Sequence, residues 1–208
     1  MSRPFILGLT GSIGMGKSTV ALMLRDLNIP VFDADAAVHE LQGAGGALVP
    51  AIEAAFPGTT GAAGVLRQEL GARVFGDPEA LAKLEAIVHP AVANRRDEFI
   101  QANARASLIV FDIPLLYEKG PSADLDAVTV VTASAAQQRE RVLARPGMTS
   151  ERFSQILGIQ VPDAEKRARA DYVIDTGVTM EETKATVAAL VDTILEKNQR
   201  LSLARPDG

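Results

Sequence analysis

The stretch Gly11-Ser12-Ile13-Gly14-Met15-Gly16-Lys17-Ser18 carries glycines, a lysine and a hydroxyl at the spacing G-x-x-x-x-G-K-[ST]. The chemistry of that pattern is phosphate binding. Glycines let the backbone curl until successive N–H groups aim at one anion. Lys17 brings a positive charge to β- and γ-phosphates, and the Ser18 hydroxyl is an oxygen ligand suited to Mg²⁺. Thr19 carries the loop into a helix whose N-terminal dipole favours the same anion. The dinucleotide-binding pattern G-x-G-x-x-G is absent here.

Other side chains could act on a phosphate held there. Asp112 closes the apolar run Leu108-Ile109-Val110-Phe111. A carboxylate at such a strand end can hold Mg²⁺ or its water shell, or face the substrate; the competing role is a turn or cap aspartate. Asp33, at the end of Val31-Phe32, is placed to accept a hydroxyl proton as a general base. Asp35 has the alternative role of a helix N-terminal charge. Arg141 and Arg145 stand four apart and share one helix face, and guanidinium groups suit a phosphate in transit. They belong to a basic segment: Arg139, Arg141, Arg145, Arg152, Lys166, Arg167 and Arg169 are a third of the 21 lysines and arginines. By charge alone this segment is a solvated face; beside a phosphate loop it becomes a candidate lid that excludes water. Pro146-Gly147 fits a hinge or a turn. His39 and His89 are the only histidines and there is no cysteine, so no zinc pattern exists. His89 reads as structural or substrate-contacting, and His39 as a helix surface residue.

The elements that must position these residues follow from periodicity. Phe5–Leu9 is a short buried strand leading into the loop. Ser18–Leu27 is a helix with Val20, Met23, Leu24 and Leu27 on one face, ended by Asn28-Ile29-Pro30. Val31-Phe32 is a second strand, and Ala34–Leu41 a helix broken by Gly43-Ala44-Gly45-Gly46. A mainly helical region follows. Its pattern predicts a helix over 79–88, a break where Pro90 biases His89 away from the α region, and a new helix from Ala91 to about Asn103. Leu108–Phe111, Ala127–Val131 and Tyr172–Ile174 are the remaining strands. Helices are predicted over Ala135–Ala144, 150–158 and 163–170. A last helix opens on a capping box, Thr179 to Glu182, and buries Val187, Leu190, Val191, Ile194 and Leu195. The tail after Asn198, with Pro206, is expected to fray. Strands alternating with helices predict an α/β protein with a mainly parallel sheet, and ligands of such sheets sit at the carboxyl ends of strands. Gly11, Asp33 and Asp112 each follow a strand and are expected along one sheet edge.

Bulk properties narrow the class. The chain has 208 residues, 47% hydrophobic and 23% charged, enough for one sizeable core with inserted parts. The net charge of −5 argues against general nucleic-acid binding. No signal peptide or membrane-spanning run is legible, so a soluble cytoplasmic protein is the expectation.

These segments together resemble the dephospho-coenzyme A kinase family over nearly the whole chain. Thr10–Ser18 is similar to the family's loop, and Asp33-Ala34-Asp35 to its acidic motif. Leu84-Glu85-Ala86-Ile87-Val88-His89-Pro90-Ala91-Val92 matches L-E-x-x-x-H-P-x-V, and Asp112-Ile113-Pro114-Leu115-Leu116-Tyr117-Glu118 matches D-x-P-L-L-F/Y-E. Gln138, Arg141 and Arg145 follow Q-x-x-R-x-x-x-R, while Gln160, Pro162, Lys166, Ala170 and Asp171 follow Q-x-P-x-x-x-K and A-D. The chain departs at Ser12, Met15, Ile156, Ile159 and Thr176, where many members carry other residues.

The resemblance implies a three-layer α/β/α phosphate-loop fold. An ATP-binding core would span 1–32, 104–138 and 171–208, a helical coenzyme-A-binding region 33–103, and a lid 139–170. It implies transfer of the ATP γ-phosphate to the ribose 3′-hydroxyl of dephospho-coenzyme A with Mg²⁺. Asp33, Lys17, Arg141 and Arg145 would be catalytic. Gly11 to Thr19 with both arginines would hold ATP, and Ser18 and Asp112 the metal. Asp33, Asp35, His89, Pro114, Leu115, Leu116 and Glu118 would lie toward the acceptor. A monomer or weak homo-oligomer, free of nucleic acid and membrane, is expected. Two rivals stay open: another nucleotide or small-molecule kinase, and a regulatory ATPase, the absence of N-K-x-D counting against a GTPase switch.

Overall fold

The computed structural model describes residues 3–118 and 124–203. From the N-terminus the elements are β1 (Phe5–Thr10), α1 (Lys17–Asp26), β2 (Val31–Asp33), α2 (Ala34–Gln42) and α3 (Val49–Ala55). A small hairpin follows, β3 (Thr60–Gly61) and β4 (Gly64–Val65), then α4 (Arg67–Val74) and α5 (Pro78–Ala102). The chain continues with β5 (Leu108–Asp112), β6 (Ala127–Thr132), α6 (Ala135–Leu143), α7 (Ser150–Ile159), α8 (Asp163–Arg169), β7 (Tyr172–Asp175) and α9 (Met180–Leu203). It divides into two compact units, Met1–Val31 with Asn103–Gly208, and Phe32–Ala102.

The first unit is built on the sheet, whose strand order among the described residues is β2-β5-β1-β6-β7. The pairs β1–β5, β1–β6 and β6–β7 are parallel. Near-continuous apolar runs explain the central position of β1 and β5, since a strand covered on both faces has no polar side to show. Every residue of Leu108–Asp112 is buried. Register then sets the site: Leu9 pairs with Asp112, Thr10 with Val130, and Thr132 with Asp175. The chain segments leaving β1, β5, β6 and β7 therefore emerge at one sheet edge, as the alternating pattern predicts for Gly11 and Asp112.

The faces are closed by helices. Val20, Ala21, Met23 and Leu24 of α1 and Val187, Leu190, Val191 and Ile194 of α9 join the sheet core. Leu27 does not, being 42% exposed at the C-cap of α1, where the helix ends. The capping box at Thr179 is formed: Glu182 N–H donates to Thr179 Oγ1 at 3.2 Å, and Thr179 N–H to Glu182 Oε2 at 2.9 Å. The last helix runs past Asn198 to Leu203, and Pro206 lies outside the described residues. No helix among the described residues is long and apolar enough to cross a membrane.

The second unit has its own core of Leu41, Leu48, Ile52, Phe56 and Leu70. Here the predicted break at His89 is corrected: α5 continues through Pro90 for 25 residues. Leu84, Ile87, Val88, Ala91 and Val92 pack on that core from both sides of the proline. Pro90 and Ala86, whose carbonyl loses its N–H partner, both lie on the exposed face, so solvent can take up the carbonyl. Packing outweighs the local preference of the residue before proline.

Candidate active site

The phosphate loop is the connection between β1 and α1, and its glycines are required by contact as well as by curvature. Gly14 and Gly16 have φ of 77° and 86°, a region costly for residues with a Cβ. A Cβ on Gly14 would lie 2.5 Å from Val142 Cγ2, and one on Gly16 would lie 2.8 Å from Thr176 Oγ1. The loop therefore rests directly on α6 and on the turn after β7.

Side chains from those elements hold its backbone. Gln138 Nε2 donates to the Ile13 carbonyl at 2.8 Å, and Ile13 N–H donates to Gln160 Oε1 at 3.1 Å. Thr176 Oγ1 donates to the Met15 carbonyl at 2.8 Å and accepts from Arg141 Nη1 at 3.0 Å. Arg141 Nη2 also donates to the Thr176 carbonyl at 2.7 Å. Met15 Sδ accepts from Ala133 N–H at 3.1 Å, which buries Met15 under the loop. Helix α1 then begins with Gly16 as N-cap, no side-chain cap and no acid in its first turn. Its positive end is left for an anion.

A cavity of about 580 Å³ opens over this loop. Its floor is Gly11 to Thr19; Pro114, Arg141, Arg145 and Gln160 add polar or backbone groups, and Ile156, Val178 and Met180 an apolar flank. Lys17 Nζ is ion-paired with Asp112, whose carboxylate is 6% exposed. The strand register accounts for this pairing, since Asp112 sits beside Leu9 one step below the loop. Arg145, past the end of α6, is exposed on the rim.

The residues named from sequence thus separate into groups. Gly11 to Thr19, Pro114, Arg141 and Arg145 line one cavity, and Asp112 meets it through Lys17. Leu116 is corrected: it is 4% exposed and packs against the backbone of Gly8, so it has no surface for an acceptor. Glu118 is likewise engaged inside the fold. Its Oε1 lies 2.8 Å from Lys166 Nζ and accepts from Val161 N–H at 2.9 Å. Burial raises the Glu118 carboxyl pKa, but the ion-paired Lys166 ammonium and the hydrogen bond from Val161 N–H outweigh it and hold the group below its ordinary value. Leu115 is half-buried in the turn after β5.

In the second unit, Asp33 Oδ1 accepts from Ala36 N–H at 2.9 Å and caps α2, and Asp35 occupies the first turn of that helix. His89 is exposed on α5, and His39 contacts Arg67. Sequence reasoning assigned no physical role to Gln138, Gln160 or Thr176. The signal was present as spacing, but a neutral side chain declares its task only when its partners are known.

The sequence model of the dephospho-CoA kinase family matches residues 5–182. The dephospho-CoA kinase of Novosphingobium aromaticivorans is 70% identical over 200 residues, covering 96% of this chain and 100% of that one. The dephospho-CoA kinase of Mesorhizobium japonicum is 53% identical over 189 residues, covering 90% and 95%. The crystal structure of a Thermus thermophilus protein superimposes with a TM-score of 0.81 at 35% identity, covering 92% of this chain and 98% of that one. The dephospho-CoA kinase of Campylobacter jejuni shares the fold, with a TM-score of 0.61 at 21% identity over 93% and 98% of the two chains. With its phosphate loop seated on the sheet edge and these relatives matched along nearly their whole length, the chain belongs to the dephospho-CoA kinase family.

Proposed function

We propose that this protein transfers the γ-phosphoryl group of ATP to the ribose 3′-hydroxyl of dephospho-coenzyme A. The observation carrying this reading is the convergence of the loop, Lys17 and two arginines on one cavity at the carboxyl end of the sheet. In the reaction, loop N–H groups and the N-terminus of α1 hold the β- and γ-phosphates. Lys17 leaves Asp112 for the phosphate oxygens, exchanging one anion for another. Arg141, held in place by Thr176, and Arg145 on the rim stabilise charge on the phosphoryl group as it moves.

Ser18 and Asp112 fit Mg²⁺. Both offer hard oxygen donors, and Asp112 already neutralises a cation beside the loop. When bound, Mg²⁺ supplies neutralisation of the negative charge on the phosphate oxygens. Asp33 takes the acceptor's proton through the carboxylate oxygen not used in capping α2, with Asp35, His89, Pro114 and Leu115 on the acceptor side. Within 139–170 the covering part is α7, whose Ile156 flanks the cavity, because Gln138 and the fully buried Val142 tie α6 to the loop and the buried Lys166 ties α8 to Glu118.

A coupled ADP-release assay with dephospho-coenzyme A tests the reading, with product identified as the 3′-phosphate by mass. Turnover should depend on that acceptor, and Asp33→Asn should lower kcat at least about a hundredfold with ATP binding kept. Phosphorylation of a nucleoside monophosphate in its place would overturn the acceptor assignment.

A further inference from the structure

Lys166 is completely buried, and the buried charge is costly unless it has a purpose or a partner. Its partner is Glu118, which follows β5. The same carboxylate oxygen also takes the Val161 N–H, in the connection between α7 and α8. The neighbouring residue, Gln160, reaches the phosphate loop, where its Oε1 accepts the Ile13 N–H. The chain of contacts therefore runs from a buried ion pair, through one peptide, to the loop that holds the nucleotide.

The orientation of the Gln160 carboxamide follows from chemistry. A peptide N–H can only donate, so the carboxamide oxygen must face Ile13. Its NH₂ is then the free edge, on a residue that lines the cavity above the loop. An NH₂ at that place is a neutral donor for a terminal phosphate oxygen. Stability alone would be served as well by apolar side chains in place of Glu118 and Lys166, which often cost nothing. What apolar side chains cannot supply is an acceptor for Val161 N–H.

We propose that Gln160 binds the terminal phosphate of the nucleotide, and that Glu118 and Lys166 are positioning residues which hold Gln160 for that contact. This deepens the reading of the cavity as a nucleoside triphosphate site and rests on it. Glu118 then acts on the nucleotide side of the reaction, through the fold, and does not touch the acceptor.

The test compares two double variants with wild type. Glu118→Leu/Lys166→Met removes the charges and the acceptor for Val161. Glu118→Gln/Lys166→Met removes the charges and keeps an acceptor. The second should melt near wild type, and the first a few degrees lower, because Val161 N–H is left without its acceptor. The first should raise the KM for ATP about tenfold, the loss of one well-placed hydrogen bond, and leave the KM for dephospho-coenzyme A unchanged. The second should restore the KM for ATP to within about twofold of wild type. Gln160→Ala should reproduce the tenfold loss, and adding it to the first pair should cause no further loss, because the two act through one contact.

Titration with a non-hydrolysable ATP analogue should give the same ranking. That readout does not depend on any acceptor, so it separates failure of this proposal from failure of the assigned reaction. Unchanged nucleotide affinity in Gln160→Ala overturns the proposal, and this single variant at a half-buried residue decides the matter if the double variants do not fold. A rise in the KM for dephospho-coenzyme A, or fully additive losses, also overturns it.

Discussion

Replacing Thr176 by valine isolates how much of the site depends on one hydroxyl beneath the loop. Valine keeps the shape, but the Oγ1 contacts to the Met15 carbonyl at 2.8 Å and to Arg141 Nη1 at 3.0 Å are lost. The Met15 carbonyl is in a buried residue, so it becomes an acceptor short of a donor. Arg141 is half-exposed and keeps its 2.7 Å bond to the Thr176 carbonyl, so water offsets part of its loss. The sum is about 2–3 kcal/mol, roughly 1 from the arginine and the rest from the orphaned carbonyl. A methyl group at hydroxyl distance from that carbonyl adds strain, which places the estimate at the low end. For a chain of this length the melting temperature should fall about 5–10 °C. Weaker ATP binding should accompany the fall, since Met15 and Arg141 both line the cavity. Thr176→Ser retains the hydroxyl and should cost about 1 kcal/mol, one methyl's worth of burial. Thermal unfolding and ATP titration of the two variants read both effects. Valine melting within about 1 °C of wild type, with unchanged ATP affinity, would refute the reasoning. A serine variant as damaged as valine would instead assign the effect to packing against Gly16.

Other perturbations have equally definite outcomes. Gly14→Ala places a Cβ 2.5 Å from Val142 Cγ2 at φ of 77°, and denaturant unfolding should register a loss of about 2–5 kcal/mol from strain and overpacking; an unchanged midpoint would speak against the tight seating of the loop. Arg145→Ala should lower kcat by about tenfold or more while the melting temperature stays within about 2 °C, because the side chain is exposed on the cavity rim. Glu118 has a folded-state pKa below its ordinary value of 4.5, so its stabilisation is complete above that value and is lost as pH falls through the folded-state pKa. Unfolding followed across the acid range should therefore show stability rising with pH, and Glu118→Gln should flatten part of that slope. An identical slope in the variant would remove Glu118 from the titrating set.

The loop and the sheet were legible because their information is local. G-x-x-x-x-G-K-[ST] between an apolar run and an amphipathic helix permits few other arrangements, and the parallel strands declare themselves through unbroken apolar residues. Arg141 was placed on the cavity by the four-residue helical spacing that it shares with Arg145. Pro90 was misread for a related reason. The preference of its preceding residue is local, whereas the apolar contacts that keep α5 continuous come from α2, α3 and α4. Leu116 matched a family segment correctly, but nothing in its position along the chain says that it turns into the core beside Gly8.

By itself the sequence determined that the chain holds a phosphate, on which strand end it does so, and which family it resembles. Those conclusions need only residue types at fixed separations along one or two elements. The tertiary structure decided which neutral side chains hold the loop in shape. Gln138, Gln160 and Thr176 are separated from Ile13 and Met15 by well over a hundred residues, and a hydrogen bond of that range has no signature in spacing. It also decided that Glu118 faces Lys166 and Val161, because a carboxylate takes its role from the donors that surround it, and only the folded chain brings those donors together.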